Sequence, residues 1–155
     1  MKEFMKIAID QARLGMISGD GGPFGAVIVK DGELFVCSHN QVLSTCDPTM
    51  HAEIAAIREA SAKLGRFDLS DCEIYSTCLP CPMCLSAIIW AKIPKLYYGA
   101  SASDAADAGF DDEYIYNTIK HGLNSDNRLC AEEAGKKECR VLFSEWLAID
   151  DRTMY

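Results

Sequence analysis

An α/β layered fold is what this sequence predicts, on three observations. Strand-like runs alternate with stretches of helical period, an Asp-Gly turn joins two of the strand-like runs, and no Pro/Gly/Ser-rich linker or repeat divides the chain. Met5, Ala8, Ile9, Ala12 and Met16 fall on one helical face, and Gly19-Asp20-Gly21-Gly22-Pro23 ends that helix. Residues 25–29 and 34–37 then read as two strands, with Asp31-Gly32 the hairpin turn between them. Asp47-Pro48-Thr49 predicts the next helix start, a capping side chain followed by proline. Beyond it Ile54, Ile57, Ser61 and Leu64 share a face, Glu59 and Lys63 form an i,i+4 pair, and Gly65 is the stop. Residues 72–77 alternate as a strand. From Cys81 to Ala91 apolar residues cover nearly every side, which predicts a helix buried on more than one face. Pro94 closes it and residues 95–98 read as another strand. Residues 122–137 carry no clear period, and 141–149 predict a last amphipathic helix.

The chain has 155 residues, the size of one ordinary domain, enough to bury roughly 70% of its unfolded surface. No apolar run approaches the ~20 residues a membrane span needs, and the start has no signal-peptide pattern, so the expectation is a cytoplasmic protein without membrane partners. Eight cysteines do not imply disulfides in a reducing compartment. Cys37 and Cys72 sit in strand-like stretches as small hydrophobes, and Cys46, Cys78, Cys130 and Cys139 read as free thiols. The net charge of −8 argues against a nucleic-acid partner, which is normally met by a basic face. Lys136, Lys137 and Arg140 are the densest basic cluster, and Glu132, Glu133 and Glu138 surround it. A small-molecule substrate fits better.

Two short pieces carry the chemistry: His51-Ala52-Glu53 and Pro80-Cys81-Pro82-Met83-Cys84. His51, Cys81 and Cys84 offer three metal ligands, and a catalytic zinc takes three protein ligands where a structural zinc takes four. Residues two apart on a helix point away from each other, so His51 and Glu53 share a site only in a first turn whose end faces the pocket. Cys81 and Cys84 also fall at a helix beginning, where backbone N–H groups favour thiolate. Cys-x-x-Cys alone would also suit a redox pair or half of a four-ligand ribbon, and Cys78 is the candidate fourth ligand. With zinc held by three residues, Glu53 is free to move protons. Zinc brings the pKa of water down to roughly 7, so hydroxide becomes available for hydrolysis.

The His-x-Glu and Pro-Cys-x-x-Cys pair resembles the signature of the zinc-dependent nucleobase deaminases, and the chain resembles that superfamily from end to end. Within it the sequence is similar to the bacterial guanine deaminases through residues 21–32, Asp47-Pro48-Thr49 and residues 104–112, above all Gly109-Phe110-Asp111-Asp112. The likeness runs over roughly residues 4–119 and returns at Tyr155. It implies a three-layer α/β/α cytidine-deaminase-like fold with a central mixed five-stranded sheet, one deaminase domain over residues 1–155, and one Zn2+ per subunit. It further implies hydroxide attack on C2 of guanine, giving xanthine and ammonia, with Glu53 as proton carrier. Asn40 then hydrogen-bonds the base, Phe24 packs on the purine and Trp90 forms a second wall. Asp112 accepts from the purine N–H groups and assists the leaving amine. Tyr155 closes the pocket of a neighbouring subunit in a homodimer with exchanged C-terminal segments.

Each of these residues also has a plainer reading. Asn40 suits a turn after a strand, Phe24 core packing, Trp90 a buried helix face, and Tyr155 a loose terminus. Asp112 precedes Tyr114-Ile115-Tyr116 as a helix cap, a duty for which Asp111 is better placed. Leu79 stands where the family has an acidic residue, and residues 124–140 match the pattern poorly. The alternatives at this point are a guanosine deaminase, a cytosine deaminase, a tRNA adenosine deaminase, and a zinc protein without catalysis.

Overall fold

The computed structural model describes residues 2–125 and 127–154, and the chain divides into two compact units between Asp112 and Glu113. In the first unit, α1 (Lys2–Ser18) precedes a hairpin of β1 (Gly25–Lys30) and β2 (Glu33–His39). Asp31 and Gly32, with φ of 53° and 79°, make the turn, as hairpins of this length require. The short α2 (Val42–Thr45) follows, then α3 (Ala52–Leu64), β3 (Cys72–Cys78), α4 (Pro82–Trp90), β4 (Lys95–Ala100) and α5 (Ala102–Asp107). The sheet is mixed, in the order β2-β1-β3-β4. β1 pairs antiparallel with β2 (Val27 opposite Cys37) and with β3 (Ile28 opposite Ile74), while β3 runs parallel to β4 (Ile74 opposite Leu96).

Alternation along the strands gives the sheet two apolar faces. Val27, Val29 and Tyr75 pack with Ala8 of α1, while Ala26, Ile28 and Ile74 pack with Ala52, Ala56 and Ala60 of α3 and Ile88 of α4. Helices therefore cover both faces. α3 meets the sheet through alanines, and Ile57 and Leu64 are only partly buried at its margin. Small side chains let the helix axis come close to the strands, and a count of large apolar residues misses such a face.

Four strands are found among the described residues, not five. After β4 the chain turns helical: the Ser101 hydroxyl accepts from the Asp104 N–H, and the Asp104 carboxylate accepts from the Ser101 N–H. This capping box starts α5, to which the sequence reading assigns no element. α3 also begins later than predicted. The Asp47 carboxylate accepts from the N–H and hydroxyl of Thr49 at 2.8 and 2.6 Å, closing a turn, and the helix starts only at Ala52. All eight cysteines are free.

The second unit holds α6 (Glu113–His121) and α7 (Lys136–Leu147). Between them the Asn124 side chain bonds both backbone groups of Ala131, at 3.1 and 2.8 Å, which orders a stretch without any helical period. α7 starts five residues before the predicted 141. Val141, Leu142, Phe143 and Leu147 along it are exposed. Among the described residues no helix is long and apolar enough to cross a membrane.

Candidate active site

His51 is the N-cap of α3 and Cys81 the N-cap of α4, with near-identical extended backbones (φ −67°, ψ 161° and φ −61°, ψ 167°). Neither side chain caps its own helix. An N-cap normally offers an oxygen to the first-turn N–H groups, worth about 0.5–2 kcal/mol, whereas these two turn toward each other. The His51 Nδ1 lies 3.7 Å from the Cys81 sulfur and 3.5 Å from the Cys84 sulfur. All three ligand atoms fall within 4.8 Å of one another. A tetrahedral zinc with bonds of roughly 2.3 Å to sulfur and 2.0 Å to nitrogen separates such ligands by about 3.5 Å, so the donor set fits zinc in size and chemistry.

The thiols fit it electrostatically too. Hydrogen bonds from the Cys84 and His51 side chains hold the Cys81 thiol down at about 4, whereas the neighbouring Cys81 sulfur and burial push Cys84 well up. The opposite shifts describe one negative charge shared by two sulfurs, and a divalent cation bound by both would hold both as thiolates. Cys78 stays out of this group: its sulfur points at the Ser101 carbonyl, 3.4 Å away.

Glu53, the second residue of α3, is 6% exposed. Its carboxylate accepts from the Ser76 hydroxyl at 3.0 Å, and burial raises its proton affinity. Ser76 escaped the sequence reading, although its inward register on β3, shared with Ile74 and Cys78, was a signal. Asp112 lies within electrostatic reach of Cys81 and His51, and burial first, then the Cys81 charge, raises its pKa. Asn40 is 5% exposed just beyond β2, its N–H donating to the Phe24 carbonyl at 2.9 Å and its Oδ1 accepting from the Val42 N–H at 3.2 Å. The turn reading of Asn40 therefore describes its backbone surroundings well.

Phe24 is half-buried and meets the edge of Phe110 with ring centres 4.9 Å apart. Phe110 is a second residue the sequence reading did not single out. Both rings border a cavity of about 130 Å3 with Thr77, Cys78, Asp104 and Ala105, beyond the carboxyl ends of β3 and β4 where α/β sheets take ligands. Trp90 does not join the triad. It ends α4, 68% exposed, about 13 Å along the helix axis from Cys81, so the buried-face reading of Trp90 is incorrect. Tyr155 lies outside the described residues.

The chain is similar to proteins already known. Guanine deaminase of Bacillus subtilis is 52% identical over 116 residues, covering 75% of this chain and 74% of that protein. The X-ray structure of the guanine deaminase from Bacillus subtilis superposes with a TM-score of 0.95 at 42% identity, covering 99% of this chain and 98% of that one. A tRNA-specific adenosine deaminase of Aquifex aeolicus is 41% identical over 97 residues, 63% of this chain and 64% of that protein. Residues 1–100, which contain the whole His/Cys/Cys triad, match the cytidine and deoxycytidylate deaminase zinc-binding region, and the chain belongs to that family.

Proposed function

We infer that this protein is a zinc-dependent guanine deaminase that hydrolyses guanine to xanthine and ammonia. The observation that carries the reading is a carboxylate buried beside a His/Cys/Cys triad, in a chain that resembles a guanine deaminase over nearly its whole length. A zinc ion held by His51, Cys81 and Cys84 supplies the Lewis acidity that makes water nucleophilic near neutral pH. The rest falls to the chain. Glu53 takes a proton from the attacking water, gives it to the purine nitrogen beside C2, and helps protonate the amine as the C2–N bond breaks. Asn40 hydrogen-bonds the base, its amide able to donate and accept, and Phe24 packs on the purine face. The Asp112 carboxylate accepts from the guanine N1–H and amine, which suits guanine over adenine because adenine has no N1–H. An acceptor that the bound base shuts off from water and leaves without a partner rejects the wrong base by ~10⁴-fold or more.

Ammonia release from guanine, guanosine, cytosine and adenosine by the zinc-loaded protein tests this. Guanine should turn over fastest. Guanosine clearly ahead of guanine would overturn the free-base reading, and adenosine ahead of both would overturn the guanine reading.

The reading extends to assembly. Residues 1–155 act as one deaminase domain whose C-terminal segment crosses to a second copy, where Tyr155 closes the neighbour's pocket. Exposed Leu142 and Phe143 on α7 and Ile89 and Trp90 on α4 support it, since such apolar surface marks association. Trp90 then serves as a pocket wall through the dimer. Free cysteines throughout support a cytoplasmic location. Mixing Glu53→Ala chains with chains lacking Tyr155 should restore activity, because the intact pocket of one is closed by the tail of the other. No restored activity in confirmed mixed dimers would sink the exchange.

A further inference from the structure

We infer that Asp20 is a positioning residue for Asn40, acting through His39 and α2, and so helps set how the base is held. This rests on the reading of Asn40 as a base-binding group. Asp20 is fixed to the end of α1, its N–H donating to the Gly15 carbonyl at 2.9 Å. From there it reaches both flanks of Asn40. Its carboxylate accepts from the Nε2 of His39, the residue before Asn40, at 3.0 Å. Its carbonyl accepts from the N–H groups of Leu43 and Ser44, three and four residues after Asn40, at 2.9 and 3.1 Å. One residue thus pins the chain on either side of a buried carboxamide.

The packing around this clasp leaves little slack. The His39 imidazole lies against the backbone of α1, where a Cβ on Gly15 would run into the ring, and its Nδ1 faces the Gln11 side chain at 3.4 Å. On the other side, a Cβ on Gly21 would strike the Asn40 Oδ1. The carboxamide is wedged between the loop that Asp20 begins and the turn that Asp20 caps. A hydrogen bond from a carboxamide to a substrate depends steeply on angle and distance, so fixing the backbone on both sides fixes the contact. Neither Asp20 nor His39 belongs to the metal triad, which separates this role from zinc binding.

The test is guanine kinetics on the zinc-loaded protein, with zinc content and melting temperature measured alongside. Asp20→Ala should raise KM about tenfold at full zinc content, the scale of one well-placed hydrogen bond. Asp20→Asn, whose amide oxygen still accepts from His39, should recover most of that loss. His39→Phe keeps the ring against Gly15 but removes the donor, so it should raise KM likewise, and it stands in if Asp20→Ala does not fold. Asn40→Ala should raise KM at least as far, and adding Asp20→Ala to it should cost nothing more. Unchanged KM in His39→Phe and Asp20→Ala beside a raised KM in Asn40→Ala overturns the clasp and leaves the base-binding reading standing. Losses that multiply fully in the double variant also overturn it. An unchanged KM in Asn40→Ala itself overturns the base-binding reading instead.

Discussion

α3 and α4 begin alike and are used differently. Each starts with a member of the His/Cys/Cys triad at its N-cap in the same extended conformation, and each forgoes the side-chain cap. Two residues into the helix they part: α3 places Glu53 there, α4 places Met83, and α4 gives its next residue, Cys84, to the metal group. Along their length the contrast continues. α3 lies on the sheet through Ala52, Ala56 and Ala60, while α4 buries Pro82, Cys84 and Ile88 and leaves Leu85, Ile89 and Trp90 exposed. Two helix starts thus meet at one cluster, with one supplying a buried carboxylate and the other the second sulfur. The helix with the carboxylate is the one locked into the core.

The largest test of that division is Glu53→Gln. Zinc content should be unchanged and turnover should fall about a thousandfold, whereas Cys84→Ala should lose the metal along with the activity. A Glu53→Gln protein that keeps normal turnover would refute the division of labour. Next is packing. Ala56→Leu, facing the sheet, should destabilise by about 1–3 kcal/mol in denaturant melts, while Ile89→Ala on the open face of α4 should stay within about 0.5 kcal/mol in the isolated chain. Equal losses would mean that α4 is covered as fully as α3. Ser76→Ala removes the donor that orients Glu53 and should lower kcat about tenfold with zinc retained; no change would show that Glu53 needs no such partner.

The smallest effect is at the far ends of the two helices. Arg66, just past α3, pairs with Asp71, and Lys92, just past α4, pairs with Asp68 at 3.1 Å. The Arg66 guanidinium holds Asp71 down at about 2, against an ordinary 3.8. A carboxylate depressed in the folded state adds stability above its unfolded value and loses it as pH falls through the folded one. Asp71→Asn should therefore lower the melting temperature slightly at neutrality and flatten the acid limb between about pH 4 and 2, where the variant and the parent converge. Both pairs are solvent-exposed, so the change should be small.

The metal triad and Glu53 were legible because their information is local: spacing, a proline and a helix start place them regardless of the rest of the chain. The strand order's raw material was legible for the same reason, since all four strands carry their own patterns. What depended on distant contacts was not. Asp47-Pro48 has the makings of a cap, yet Thr49 captures its carboxylate and the helix waits until Ala52. The sheet-facing side of α3 is built of alanines, invisible to a search for large apolar residues. Trp90 reads as buried because its helix is apolar all round, and only the packing shows which side is left open. The fifth strand is implied by kinship alone, with no run of residues assigned to it, and the residues after β4 carry a helix-starting capping box.

Glu53 also has a bearing on heat resistance. A carboxylate shut away from water, with the Ser76 hydroxyl donating to it, gives up hydration to stand where a proton must move, and that cost falls on the fold that encloses it. The inactive Glu53→Gln protein should thus outlast the working enzyme on heating, a sturdier and silent form suited to trapping an unreacted purine in a crystal.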